Sequence, residues 1–222
     1  MDLTPYAIPV ALFVNLTALL LLVARDWRVS TALLAAQYVG VFFLVVMEWP
    51  FAMAVTKLIA GWIASAVLGM AVLSIPAAPL IPPASISSER EGHPQPKASG
   101  DGLNPLFFIF AATLVGLAIY SQLSRAATII PGIASGQVWG GLILIGLGLL
   151  KQGFADQTLA SFIGILTTFS GFEIIFSVID ATPTTAGLVA GVTLGLAFAG
   201  AYLLVAPYLR EDEADEELGE AG

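Results

Sequence analysis

Long apolar runs separated by short polar breaks are the main pattern of this 222-residue chain. Each of these runs is close to the length of about 20 residues that a helix needs to cross the hydrocarbon core of a bilayer. The predicted spans cover residues 5–24, 29–47, 51–73, 104–122, 134–150, 157–179 and 184–207. The breaks are polar or contain proline, and Pro50 suits the start of a helix. The pattern predicts an all-α fold, a polytopic membrane helix bundle of about seven transmembrane helices.

One long polar segment divides the spans into two groups. Residues 75–103 hold repeated prolines, serines and mixed charges, a composition that favours a linker without a fixed fold. We therefore expect a three-span part over 1–74, this cytoplasmic linker, a four-span part over 104–209 and an acidic cytoplasmic tail over 210–222. The first apolar run has no basic region before it and no clear cleavage site after it, so we expect it to be retained as a span.

The composition supports a membrane protein and excludes several kinds of site. Hydrophobic residues make up 58% of the chain and charged residues 11%, whereas a soluble domain carries about 25% charged residues. There is no cysteine, and His93 is the single histidine, so a thiolate, haem or multi-histidine metal site is not expected. Nucleophile-elbow, Walker A and HExxH motifs are absent. We expect no cofactor, no metal, no catalytic residue and, given the net charge of -8, no nucleic-acid partner.

Positive charges are unevenly divided between the two sides of the predicted bundle. With the N-terminus outside, the inner segments hold Arg25, Arg28, Arg90, Lys97, Lys151 and Arg210, and the outer segments hold Arg125. This asymmetry follows the positive-inside rule. Combined with an odd number of spans, it predicts an outside N-terminus and a cytoplasmic C-terminus in a multi-pass protein of the inner (cytoplasmic) membrane.

Two ionisable residues fall inside predicted spans. A charge at the bilayer centre costs about 2.5–3.5 kcal/mol on insertion scales, so each needs water, a partner or a function. Glu173 lies about 9 Å from the outer end of its span and Lys57 about 10 Å from the same side, so an ion pair is one hypothesis. Alternatively, Lys57 extends to the interface and Glu173 is a protonated, hydrogen-bonded acid. In the functional interpretation Glu173 relays protons, with Asn15, Gln37 and Thr56 as candidate polar companions.

Small residues recur in two spans at spacings that suit helix packing. Gly187, Gly191 and Gly195 repeat every four residues and predict tight packing of the seventh span against a neighbouring helix. The glycine-rich stretch 140–148 follows no strand, so it favours helix packing over a dinucleotide site.

Two sets of blocks carry a resemblance to a known family. The first set is Asn15-Leu-Thr-Ala-Leu-Leu-Leu-Leu, Arg28-Val-Ser, the span bearing Gln37, and Thr56-Lys57-Leu. The second set is Gly140-Gly-Leu-Ile-Leu-Ile-Gly-Leu-Gly-Leu-Leu-Lys-Gln, Thr158-Leu-Ala-Ser-Phe-Ile-Gly-Ile-Leu and Ser170-Gly-Phe-Glu173. Together they resemble component E of formate-hydrogenlyase-type membrane hydrogenases. The second set is also similar to the small K subunit of respiratory complex I (NADH-quinone oxidoreductase) and to the C subunit of Mrp-type cation/proton antiporters.

The resemblance implies a small, non-catalytic membrane subunit beside large antiporter-like subunits, in a complex that couples redox chemistry to ion movement. Buried carboxylates form part of the proton path in that family, which assigns Glu173 to the path and matches Lys57 to a lysine of the third span. Phe169 stands where the family has a glutamate, and Glu173 follows one helical turn later on the same face. The residues leave two other functions open, a stand-alone small transporter and a membrane scaffold or assembly protein.

Overall fold

The computed structural model describes residues 6–75, 105–129 and 133–220, and the side chains of residues 6–75, 106–122, 125 and 133–209. Within these ranges the regular structure is entirely helical, which confirms the all-α prediction. The helices are α1 (Ala7–Val23), α2 (Trp27–Val45), α3 (Phe51–Ser74), α4 (Pro105–Ile129), α5 (Ser135–Gly153), α6 (Thr158–Phe176) and α7 (Pro183–Glu220). The predicted linker from residue 76 onward lies outside the described residues.

Four of these helices are long and apolar enough to cross a membrane. They are α2, α3, α6 and the Pro183–Leu209 part of α7. Helix α1, with 17 residues, and the apolar part of α4, Leu106–Gln122, are shorter. The chain is thus a membrane protein by the length and composition of its helices, while the seven-span count and the orientation stay predictions. Helix α7 continues past the predicted end of the seventh span, so the acidic tail extends this helix.

The ends of α2 and α6 meet the starts of α3, α5 and α7 at one edge of the bundle, which we call the Trp49 edge. The buried indole of Trp49 donates to the carbonyl oxygens of Ser177 at 3.1 Å and Asp180 at 3.0 Å. The side-chain amide of Gln137 donates to the carbonyl oxygen of Leu44 at 3.0 Å. These bonds connect the α2–α3 turn, the α6–α7 turn and the start of α5.

The opposite edge, which we call the Lys151 edge, gathers the other helix ends. Lys151, near the end of α5, donates to the carbonyl oxygen of Leu21 in the last turn of α1 at 2.6 Å. The ring of Phe154 lies 5.4 Å from that of Phe107, centroid to centroid, which brings the start of α4 to this edge. Successive helices therefore alternate in direction, as expected of a bundle with short connections.

Helices α5 and α6 pack closely because glycines face each other across the pair. A methyl group on Gly164 would lie 2.9 Å from the carbonyl oxygen of Gly148, and one on Gly148 would lie 2.8 Å from that of Gly164. Gly141 and Gly171 form a second crowded pair seven residues away on each helix. Close backbone approach at small residues is the usual way for membrane helices to pack. The structure confirms the packing role predicted for the glycine-rich stretch 140–148.

Helix α7 turns its alanine face, and not its glycine face, toward the rest of the bundle. The buried residues of this face are Ala186, Val189, Ala190, Thr193 and Ala197. Gly187, Gly191 and Gly195 are exposed, and a Cβ atom at any of them would meet no atom within 4 Å. The close packing predicted for these glycines therefore does not occur within the described part of the chain. Packing of this face against another protein stays a prediction.

Candidate functional site

Lys57 of α3 and Glu173 of α6 form an ion pair inside the bundle. Lys57 Nζ lies 2.6 Å from each of the two carboxylate oxygens, and both side chains are 2% exposed. Only the contact with Oε1 has hydrogen-bond geometry; Oε2 has the ionic contact and no hydrogen bond among the described residues. The lysine side chain thus turns to the glutamate and not to the edge of the bundle.

The two residues reach the same depth because their helices start and end at the same edge. Lys57 follows Pro50 by seven residues and Glu173 precedes Asp180 by seven, and the Trp49 indole joins the two turns. On α3 these seven residues are helical and correspond to about 10 Å, whereas α6 ends at Phe176 and a turn leads to Asp180. Helix α3 packs mainly against α7, and α6 packs mainly against α5. The ion pair therefore joins two pairs of helices.

Thr193 of α7 completes a three-membered network. Its hydroxyl accepts from Lys57 Nζ at 2.7 Å, and it lies 3.2 Å from Glu173 Oε1 and 3.0 Å from the carbonyl oxygen of Val189. A hydroxyl has one proton, so Thr193 donates either to the carboxylate or to its own helix. Thr193 is not among the residues predicted for the site, although it is the one polar residue on the buried alanine face of α7.

Two aromatic rings flank the ammonium of Lys57. Its Nζ lies 5.0 Å from the ring centroid of Tyr38 and 5.7 Å from that of Phe169, within the range of cation–π attraction. Gly61 makes room for Tyr38, since a Cβ atom there would overlap the tyrosine ring. Phe169, at the position where the resembled family has a glutamate, thus contacts the same site through its ring.

The predicted polar companions of the pair are not brought into contact with it. Thr56 is exposed, and its hydroxyl donates to the carbonyl oxygen of Ala52 in its own helix at 3.1 Å. The amide of Gln37 is fully buried, and neither it nor the buried amide of Asn15 has a hydrogen-bond partner among the described residues.

A row of buried polar side chains continues along α6 from the ion pair toward the Lys151 edge. Thr167, Ser170 and Glu173 follow one another at intervals of three residues, so the row is about 9 Å long. The Ser170 hydroxyl donates to the carbonyl oxygen of Leu166 at 2.8 Å. The hydroxyl of Thr167 has no hydrogen-bond partner within the described ranges. The Tyr38 hydroxyl lies next to that of Ser170. Buried polar groups are usually hydrogen-bonded, so the Thr167 hydroxyl is an unusual feature of the interior.

The acidic residues at the Trp49 edge have a different setting. Glu48 is exposed. Asp180 accepts from the Thr185 hydroxyl at 2.5 Å and from the Thr182 backbone N–H at 3.0 Å, at the start of α7. The Thr185 hydroxyl is the main cause that holds the pKa of Asp180 below its usual range. A carboxylate at this end of a helix is also favoured by the helix dipole.

The pair has the chemistry of a proton-exchange site. At 2.6 Å a proton can reside on either partner, giving an ammonium with a carboxylate or a neutral amine with a neutral acid, and the net charge is the same in both states.

No cluster of three or more histidine, cysteine, aspartate or glutamate side chains suited to a metal occurs in the described part of the chain. Comparisons with family models, curated proteins and solved structures found no match to this chain.

Proposed function

We propose that this chain is a small integral membrane subunit of a complex I-like or membrane-hydrogenase-like complex that translocates protons or other cations. The observation that carries the proposal is the Lys57–Glu173 contact, two ionisable groups 2.6 Å apart and each 2% exposed. Ionisable residues within membrane helices are costly, and they commonly mark proton relays and ion pathways. An inner (cytoplasmic) membrane location, with large antiporter-like subunits as partners, belongs to the same proposal.

The pair would act as an intermediate station for a proton. A proton arriving at Glu173 converts the ion pair into an acid beside an ammonium, and its departure restores the pair. The Thr193 hydroxyl, 3.2 Å from Glu173 Oε1, can donate to the ionised carboxylate and turn to Val189 when the carboxyl is protonated. This gives the site two hydrogen-bond arrangements, one for each protonation state.

The row of polar groups along α6 supports a route on one side of the pair. The Thr167 hydroxyl is buried and makes no hydrogen bond to a described group, and the Tyr38 hydroxyl lies next to that of Ser170 in the same row. A proton path through an apolar interior needs donors and acceptors that water or a moving proton can use. This row extends toward the Lys151 edge, which is the cytoplasmic side in the predicted orientation.

The outer face of α7 supports a partner helix. Gly187, Gly191 and Gly195 form an exposed strip on an apolar helix, and small residues allow another helix to approach closely. In the proposal this strip contacts an antiporter-like subunit, and the electron-transfer steps occur on other chains. The same strip would serve a scaffold or assembly protein, so the identity of the partners decides between these functions.

The first test is purification of the tagged, full-length chain from its own membranes in a gentle detergent, followed by mass spectrometry. Large antiporter-like subunits in the eluate support the proposal. A lone protein or a homo-oligomer contradicts it and favours a stand-alone transporter, and partners unrelated to ion transport favour a scaffold.

The second test measures proton translocation per turnover by the complex so obtained. Glu173→Gln is expected to slow proton-coupled turnover at an unchanged level of assembly. Glu48→Gln removes the same charge from an exposed turn and should leave coupling unchanged. Equal coupling in the wild type and in Glu173→Gln would remove Glu173 from the path.

A further inference from the structure

A cavity of about 250 Å³ opens at the Lys151 edge, between the ends of α1 and α5 and the starts of α2 and α6. Its walls include Arg25, Trp27, Ser30, Lys151, Phe154 and Asp156. The charged members of this set are two cations and one carboxylate, so the walls are net positive. The cavity is at the opposite edge of the bundle from Trp49, and neither Lys57 nor Glu173 lines it.

Lys151 is the main chemical feature of this cavity. Its side chain is 7% exposed, and Nζ donates to the carbonyl oxygen of Leu21 at 2.6 Å. That bond caps the C-terminus of α1 and uses one of the three donors of the ammonium. No carboxylate of a described residue pairs with Lys151. A buried ammonium without a counter-charge is costly, so the site favours an anion beside it.

The start of α6 forms another part of the wall of the cavity. Gln157, the residue before the helix, makes no side-chain capping bond, and Leu159 and Ala160 of the first turn also line the cavity. The first N–H groups of a helix have no partner inside the helix, and the helix dipole makes this end positive. A buried ammonium and a helix N-terminus thus line the same cavity, and proteins commonly direct both groups at phosphate.

The remaining walls are apolar and aromatic. Trp27, Phe108 and Phe154 line the cavity, and tryptophan is enriched where a membrane protein meets the headgroup region. Basic pockets between membrane helices on the cytoplasmic side are suited to anionic lipid headgroups. A ligand with a phosphate group and an apolar part would satisfy both kinds of wall.

We propose that this cavity binds a phosphate group, supplied either by an anionic lipid headgroup or by a soluble phosphate compound. Lys151 and the first turn of α6 hold the phosphate oxygens, and the aromatic walls contact the rest of the ligand. The inference does not depend on the function proposed above, since it would hold equally in a transporter or a scaffold.

The test uses the full-length chain, purified in a gentle detergent, with two probes. Native mass spectrometry measures retention of dioleoylphosphatidylglycerol against dioleoylphosphatidylcholine, which has the same chains and no net charge. A thermal unfolding series measures stabilisation by inorganic phosphate against chloride at equal ionic strength. Binding of phosphatidylglycerol alone identifies a lipid site, and stabilisation by inorganic phosphate identifies a site open to soluble phosphates.

Two variants and a control locate the binding. Lys151→Met removes the ammonium, and Ala160→Phe fills the cavity while it keeps Lys151 and its bond to Leu21. Arg28→Gln removes a cation from the same edge at a residue that does not line the cavity. We expect affinity to fall at least about tenfold in the first two variants, since a hydrogen bond to a charged group is lost or blocked. The control should stay within about twofold of the wild type, because Arg28 is exposed and reaches the cavity only through its contact with the Trp27 ring.

Two results would overturn the inference. One is a wild-type protein that prefers neither phosphatidylglycerol to phosphatidylcholine nor phosphate to chloride. The other is unchanged binding in Ala160→Phe, which would place any bound phosphate outside the cavity. Circular dichroism of each variant checks that it is folded, and Ala160→Phe keeps the test valid if Lys151→Met does not fold.

Discussion

The ammonium of Lys57 lies 2.6 Å from both carboxylate oxygens of Glu173, and the pair joins α3 to α6 in the interior of the bundle. Removing one partner leaves the other as a buried charge without a counter-charge, which typically costs about 3–5 kcal/mol. We expect this loss in the free energy of unfolding for Lys57→Met and for Glu173→Leu. The double variant should regain most of it, because an apolar pair of similar volume often replaces a buried ion pair without loss.

The measurement is a double-mutant cycle by detergent-induced unfolding in bicelles. Lys57→Met combined with Glu48→Gln is the matched control, since Glu48 is exposed and distant, and these two changes should add. Additive losses for Lys57→Met and Glu173→Leu would mean that the contact contributes no coupling energy.

The hydroxyl of Thr193 is expected to stabilise the Lys57–Glu173 pair through its hydrogen bond with Lys57. Thr193→Val removes the acceptor that Lys57 Nζ contacts at 2.7 Å and keeps the shape of the side chain. A hydrogen bond to a charged group contributes about 1.5–3 kcal/mol, so the free energy of unfolding should fall by that amount. Thr193→Ser restores the hydroxyl and should recover most of the loss. If valine and serine give the same stability, the hydroxyl has no energetic role.

The glycine contact between α5 and α6 should not tolerate a side chain. A methyl group at Gly164 would lie 2.9 Å from the carbonyl oxygen of Gly148, and backbone atoms cannot move aside as a flexible side chain can. Gly164→Ala should therefore destabilise the fold by about 1–3 kcal/mol, the usual cost of overpacking. Gly153→Ala is the control, since a Cβ atom there meets nothing within 4 Å. Thermal unfolding of both variants tests this, and equal melting temperatures would contradict it.

Asp180 should make stability depend on pH at the Trp49 edge. Its pKa is lowered in the folded protein, chiefly by the Thr185 hydroxyl, so the ionised carboxylate stabilises the fold above the unfolded-state pKa. That contribution is lost as the pH falls through the folded-state pKa. The melting temperature of the wild type should exceed that of Asp180→Asn at neutral pH, and the difference should shrink in acid. A difference that is constant with pH would assign the effect to the amide substitution itself.

The depth of the site was predictable from the sequence because helix length is fixed by residue number. Pro50 and Asp180 mark the turns, and counting residues from each as helix predicts similar depths for Lys57 and Glu173, although the three residues before Asp180 form a turn in the structure. The network around the pair was not predictable, because it depends on how each helix is rotated about its axis. That rotation brings Tyr38 and Thr193 into the site, and it turns Thr56 away from the site.

Helix α7 shows the same limit in its two small-residue faces. Ala186 and Ala190 lie one position before Gly187 and Gly191, so the faces are about 100° apart on the helix and repeat at the same interval. Spacing alone cannot choose which face turns inward; the contacts of Thr193 with the ion pair lie on the alanine side. The acidic tail extends α7 because glutamate, alanine and leucine are good helix formers, although a run of charges suggested a separate segment.

The exposed glycine face of α7 leads to a prediction that separates folding from assembly. Gly191→Leu should leave the stability of the isolated chain nearly unchanged, because Gly191 is exposed and a Cβ atom there meets nothing within 4 Å. If a partner helix packs on this face, the same change should reduce recovery of the partner in purification from native membranes, since leucine blocks close approach. Gly153→Leu, at another open position, controls for a general effect of added bulk. Undiminished recovery in Gly191→Leu would remove this face from the interface, and a loss of stability in the isolated chain would show that α7 packs through its glycines after all.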